Sequence, residues 1–103
     1  MARYVTLIRL TEQGAKGIKK STGRARAFRE AAGKAGVRVE AQYWTTGGYD
    51  GLLVVSAADE KNVLRCLTEL AAAGNVHTET LQAFDAREFE SIVGKRSSSI
   101  RPN

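Results

Sequence analysis

Residues 37–57 read VRVEAQYWTTGGYDGLLVVSA. From Val37 to Thr45 apolar and polar side chains alternate with the period of a strand. Val37, Val39, Ala41 and Tyr43 are expected on one face, with Arg38, Glu40 and Gln42 on the other. Thr46-Gly47-Gly48-Tyr49-Asp50 follows as a turn, because the glycines permit positive φ. Gly51 to Ala57 is then a strand with two apolar sides, Leu52 and Val54 against Leu53 and Val55. The stretch is a hairpin that joins a one-sided strand to one buried on both faces.

Working outward, Arg3 to Leu10 is a second doubly apolar strand, with Val5 and Leu7 opposed to Tyr4 and Ile8. Between it and the hairpin, Thr11 is expected to cap a helix with Glu12 in its first turn. Small or apolar residues recur at Ala15, Ile18, Thr22, Ala25, Phe28, Ala32 and Ala35. Ser21 is expected as a second N-cap, so a short helix runs into a longer one that Gly36 stops. After the hairpin, Asp59 caps a helix that turns Val63, Leu67, Leu70 and Ala71 inward and ends at Gly74. Val76 to Phe84 is the fourth strand, and Asp85 to Val93 is expected to form a short terminal helix.

The order β-α-β-β-α-β, with two right-handed crossovers, gives an α+β fold of the ferredoxin-like type. Its four-stranded antiparallel sheet has the order 4-1-3-2 and helices on one face. The two doubly apolar strands fall in the middle, as they should, and the strands carrying Arg38, Glu40, Gln42, His77 and Glu79 fall at the edges. Two helices cover one face only. The other would be a large bare apolar patch, which soluble monomers avoid, so a sheet-to-sheet dimer or higher homo-oligomer is expected.

The 103 residues correspond to one domain, assigned to residues 1–94, and can bury a core without disulfide or metal. Residues 95–103, basic and serine-rich, are expected as a disordered tail. A single cysteine, Cys66, excludes an internal disulfide and multi-cysteine metal sites. No run of about 20 apolar residues or secretory leader is present, so a cytoplasmic protein without membrane contact is expected. The net charge of +5 is concentrated between Lys16 and Arg38, where eight Lys and Arg face the single acid Glu30. That face is a solvated helix surface or a weak polyanion binder.

Three segments form a distinctive set: Thr11-Glu12-Gln13-Gly14, Tyr43-Trp44-Thr45-Thr46-Gly47-Gly48-Tyr49-Asp50, and Gly74-Asn75-Val76-His77-Thr78-Glu79-Thr80-Leu81. Together they resemble the GYD domain family, whose hairpin motif here is Gly48-Tyr49-Asp50, over about Arg3 to Val93. The chain departs from that family in its basic tail and at Thr22-Gly23, where a proline is expected near the helix break. The resemblance implies the dimeric α+β-barrel architecture and brings no established reaction. The wider group holds cofactor-independent oxygenases, haem-handling enzymes, isomerases and plain binding proteins, and fold does not choose among them.

The candidate ligand-binding residues are Trp44, Tyr49, Asp50 and His77, and the candidate catalytic residues are Asp50, Tyr49 and His77. Tyr49 offers an aromatic wall and Asp50 an acceptor or base, although Asp and Gly also serve turns for conformational reasons alone. His77 and Glu79 share a strand face, a spacing suited to acid–base work near neutral pH or to an ordinary edge pair. A metal is not expected, since the chain has one histidine and one cysteine in all, and haem would need His77 as an axial ligand with nothing else to support it. Cys66 reads as an inert core thiol. RNA-recognition modules share this strand order but stack bases on aromatics of strands 1 and 3. Leu52-Leu53-Val54-Val55 has none, which argues against nucleic acid. The sequence reading is a homo-oligomeric protein that binds a small organic ligand or regulates, without a cofactor. A cofactor-independent oxygenase or isomerase is the alternative.

Overall fold

The computed structural model describes residues 1–94, so the expectation of a disordered tail at 95–103 lies outside the described residues. The strands are β1 (Ala2–Leu10), β2 (Arg38–Trp44), β3 (Gly51–Ala57) and β4 (Val76–Ala83). The helices are α1 (Glu12–Lys16), α2 (Ser21–Lys34), α3 (Glu60–Ala72) and α4 (Ala86–Phe89). A 3₁₀ turn at Ile18–Lys20 joins α1 to α2, and a π turn at Glu90–Gly94 continues α4. All strand pairings are antiparallel and the sheet order is β2-β3-β1-β4, the expected order read from the opposite edge.

Helix ends follow local chemistry. Thr11 accepts the Gly14 N–H, Asp59 accepts the Lys61 N–H, and Asp85 and Glu88 form a reciprocal capping box. At the end of α2, Gly36 takes φ +85° while Val37 N–H bonds Ala32 at 2.8 Å and Gly36 N–H bonds Gly33 at 3.2 Å. This is a Schellman motif, and it delivers Val37 into the core. Ser21 departs from expectation: it has helical φ and ψ as the first residue of α2, and the N-cap is Lys20, without a side-chain bond. The preceding 3₁₀ turn already supplies an acceptor for the Ser21 N–H, from Ile18, so no cap is needed there.

The core lies between the helices and one sheet face. Leu53, Val55 and Ala57 of β3 meet Ala32 of α2 and Val63 and Cys66 of α3, with Tyr4, Ile8, Phe28, Val39, Leu67 and Leu70 packed around them. Thr6 is fully buried in the middle strand, and its hydroxyl is satisfied by that of Thr80 at 2.9 Å. Ala71, expected inward, is exposed. It sits about 100° round the helix from Leu70 and on the outer side of Leu67, at the margin of the inward stripe.

The register of β2 corrects the simple alternation. Val39 pairs with Val55 but Ala41 pairs with Val54, leaving Glu40 as the extra residue of a β-bulge. Beyond the bulge the faces exchange. Gln42 and Trp44 join the helix side opposite Leu53 and Gly51, while Ala41 and Tyr43 join the open side opposite Val54 and Leu52. Gly51 permits the close pairing, because a Cβ there would stand 2.9 Å from the Tyr43 carbonyl oxygen.

Two glycines give a direct test of the packing. A Cβ on buried Gly14 would run into the backbone carbonyl of Asn75, whereas one on Gly23 in α2 would meet nothing within 4 Å. Gly14→Ala should therefore cost about 2 kcal/mol or more by overpacking against backbone. Gly23→Ala should instead add about 0.5–1 kcal/mol through helix propensity. Urea denaturation of the two variants checks both signs.

Candidate functional site

The three distinctive segments meet at the end of β1. Asp50 Oδ2 accepts the Leu10 N–H at 2.8 Å, and the Asp50 N–H donates to the Ile8 carbonyl at 2.7 Å. Arg9 Nε donates to the Gly48 carbonyl at 3.2 Å, and its guanidinium lies 4.9 Å from the centre of the Tyr49 ring. Within the hairpin, the Thr45 hydroxyl donates to the Tyr49 carbonyl at 2.7 Å and Gly47 takes φ +105°.

One residue further along, the Thr11 N–H donates to the Asn75 carbonyl at 3.0 Å and the Thr11 hydroxyl donates to the Gly74 carbonyl at 2.7 Å. Gln13 Nε2 reaches the Ala73 carbonyl at 3.1 Å and Asn75 Oδ1 at 3.0 Å. The end of β1 is thus held from one side by the β2–β3 hairpin and from the other by the α3–β4 turn.

The helix side of this end opens into a pocket of about 470 Å³, within the size range of small-molecule sites. Leu10, Phe28, Trp44, Leu53, Leu70 and Val76 supply much of its apolar wall. Its polar groups come from Ser21, Arg24, Gln42, Thr45, Asp50 and Asn75. The Gln42 carboxamide oxygen is closed off from solvent and has no hydrogen-bond partner among the described residues. The Arg24 guanidinium packs beside Gly17, where a Cβ would collide with Nη2.

The sequence candidates divide between the two sides of the sheet. Trp44 and Asp50 line the pocket, Trp44 because the bulge has turned it there. Asp50 is exposed, with Oδ2 engaged by the Leu10 N–H. Tyr49 and His77 are not among the pocket residues. The Tyr49 hydroxyl donates to Glu79 Oε1 at 2.7 Å. That bond and the carboxylate charge raise the phenol above its ordinary pKa, since both favour the protonated form. His77 is exposed and stands opposite Arg9 in the register, on the open face with Glu79. Burial raises the Cys66 thiol, with the Glu69 charge adding to it, so the thiolate is disfavoured there. Among the described residues no group of three or more His, Cys, Asp or Glu gathers, and no helix is long and apolar enough to cross a membrane.

Arg24 and Gln42 escape a reading of the sequence alone. Arg24 merges into the basic face of α2, yet its spacing from Ser21, Phe28 and Ala32 marks the inward stripe of that helix. Gln42 falls by alternation on the polar side of β2, a position that only the bulge reverses.

A four-stranded antiparallel sheet, a motif-bound hairpin and a pocket under two helices define a small α+β protein. The profile of the GYD domain matches residues 4–93, and the chain belongs to that family. It is 39% identical over 90 residues to the "Glutamine synthetase and cystathionine beta-lyase binding protein" of Thermus thermophilus. The match covers 86% of this chain and 95% of that relative. The crystal structure of TTHA0845, also from Thermus thermophilus, superposes with a TM-score of 0.54 at 28% identity, covering 84% of this chain and 96% of that one.

The Asp50 geometry leads to a defined expectation. Asp50→Asn keeps an acceptor for the Leu10 N–H and should cost about 1 kcal/mol or less, whereas Asp50→Ala leaves that N–H without its partner and should cost about 1–2 kcal/mol. Thermal and denaturant unfolding of the pair distinguishes support from dispensable decoration.

Proposed function

We propose that this GYD-family protein is a homo-oligomeric small-molecule-binding or regulatory protein with no assignable reaction, which takes a small organic molecule into its helix-side pocket. The observation that carries this reading is the division of the polar candidates. An enzyme built from Tyr49, Asp50 and His77 needs at least two of them to converge on one pocket. Only Asp50 lines it, and that carboxylate is bonded to backbone. An apolar wall with a few polar groups suffices for binding.

The homo-oligomeric part rests on the open sheet face, taking the fold as the ferredoxin-like type whose sheets pair face to face. Val5, Leu7, Leu52, Val54 and Leu81 occupy adjacent rows there, and Tyr43 beside them is 60% exposed. Packing two such faces about 10 Å apart removes the apolar rows from water, while Arg3, Arg9, Arg38 and Glu79 remain at the margins. The name of the Thermus relative favours one extension, that this chain also associates with a metabolic enzyme. Purified glutamine synthetase and cystathionine β-lyase from the same source are the partners to try, by size-exclusion co-elution.

Two measurements test the proposal. Sedimentation equilibrium at micromolar concentration should give at least twice the chain mass of 11.2 kDa, and Val54→Glu should bring it down to the monomer. A stable wild-type monomer would remove the oligomer. Thermal-shift screening against a metabolite library should find small organic compounds that raise Tm, and Ala25→Phe, which fills the pocket, should abolish their effect. Turnover of any such compound by the purified protein would replace the binding reading with the enzymatic one.

A further inference from the structure

The chemistry of the pocket narrows what it holds. Most of the lining is aliphatic or aromatic, with Phe28 of α2 and Trp44 of β2 both facing the space. Into this wall the fold brings one cationic side chain, Arg24, from the inward stripe of α2. The one ion pair among the described residues joins Arg3 to Glu88, so Arg24 has no carboxylate partner among them. A guanidinium half-withdrawn from solvent with no counter-ion is a ready partner for a planar anion, which it can meet through two parallel N–H bonds.

The other polar groups set the charge of that anion. Ser21, Gln42, Thr45 and Asn75 are neutral, and the remaining ionisable group of the pocket, Asp50, is itself negative. Arg24 can pair directly with one anionic charge, while the Asp50 carboxylate on the same pocket disfavours a second, so a phosphate dianion would be left under-compensated in a largely apolar space. Gln42 lines the pocket with its carboxamide oxygen closed off from solvent, so it adds polarity to the wall and no charge. We infer that the pocket takes a small apolar carboxylic acid, with an aryl or branched aliphatic body against the Phe28 and Trp44 wall and its carboxylate on Arg24.

Gly17 is the device that positions the cation. Its φ of −104° is open to any residue, so its lack of a side chain is not explained by backbone conformation. Its surroundings do explain it, because a Cβ there would occupy the place of the Arg24 guanidinium. Since the colliding atoms are the far end of a flexible side chain, Gly17→Ala should leave the fold intact and move the charge.

This inference rests on the pocket being a binding site, and calorimetric titration separates its failure from the failure of that reading. The probes are phenylacetate, 4-methylpentanoate, the neutral isostere phenylacetamide, and phenyl phosphate. The expected result is binding of the two carboxylates, with phenylacetamide and phenyl phosphate weaker by about tenfold or more. Arg24→Gln should lose that preference while keeping the weak phenylacetamide binding, and Gly17→Ala should reduce it with Tm unchanged. Equal affinity for phenylacetate and phenylacetamide, or an unchanged preference in Arg24→Gln, overturns the carboxylate assignment and leaves the pocket reading standing. Preference for phenyl phosphate overturns it in favour of a phosphorylated ligand. If none of the four binds and Ala25→Phe has no effect on any compound in the wider screen, the pocket reading falls too.

Discussion

The carboxylate of Asp50 accepts the Leu10 N–H across 2.8 Å, and much of the arrangement depends on that contact. Leu10 is the last residue of the central strand β1, the point at which the chain leaves the sheet for α1. A backbone donor there has no strand partner on the hairpin side, because β3 begins opposite Ile8. The side chain of Asp50 takes the role of the missing strand residue. By doing so it sets the hairpin tip against β1 and leaves Trp44, beyond the bulge, facing the pocket.

The opposite flank of the same strand end is closed by the Thr11 and Gln13 contacts to the α3–β4 turn. Buried Gly14 lets that turn approach to within backbone contact. The sequence segments that mark the family are therefore neighbours in space, gathered about residues 8–14. This gives them a common physical role: they hold the floor and rim of the pocket, while α2 supplies its roof and its cation. On the proposed reading, motif residues of this kind serve geometry, and the specificity of the pocket resides in side chains outside the motif, such as Arg24.

Much of the architecture was legible because it is written in local, redundant signals. The doubly apolar β1 and β3 announced the centre of the sheet, Gly36 and Gly74 announced helix ends, and Thr11 and Asp59 announced helix starts. The site was far less legible. One inserted residue at Glu40 exchanges the faces of everything after it in β2, and alternation alone carries no mark of that insertion. Tyr49 and Asp50, adjacent in the chain, serve different sides of the sheet, and within a turn alternation does not say which residue takes which side. Arg24 was hidden by its company: among eight basic residues in one stretch, the one that turns inward looks like the rest until its helical phase is compared with that of Phe28 and Ala32.

Native-state amide hydrogen exchange at Leu10 tests the central claim most directly. If the hairpin carboxylate secures the end of β1, the Leu10 amide should be protected to a degree comparable with Thr6 and Ile8 in the middle of the strand. In Asp50→Ala that protection should fall selectively at Leu10 and its neighbours while β3 stays protected. A Leu10 amide that already exchanges in the native protein as fast as those of Gly47 and Gly48 would contradict the account.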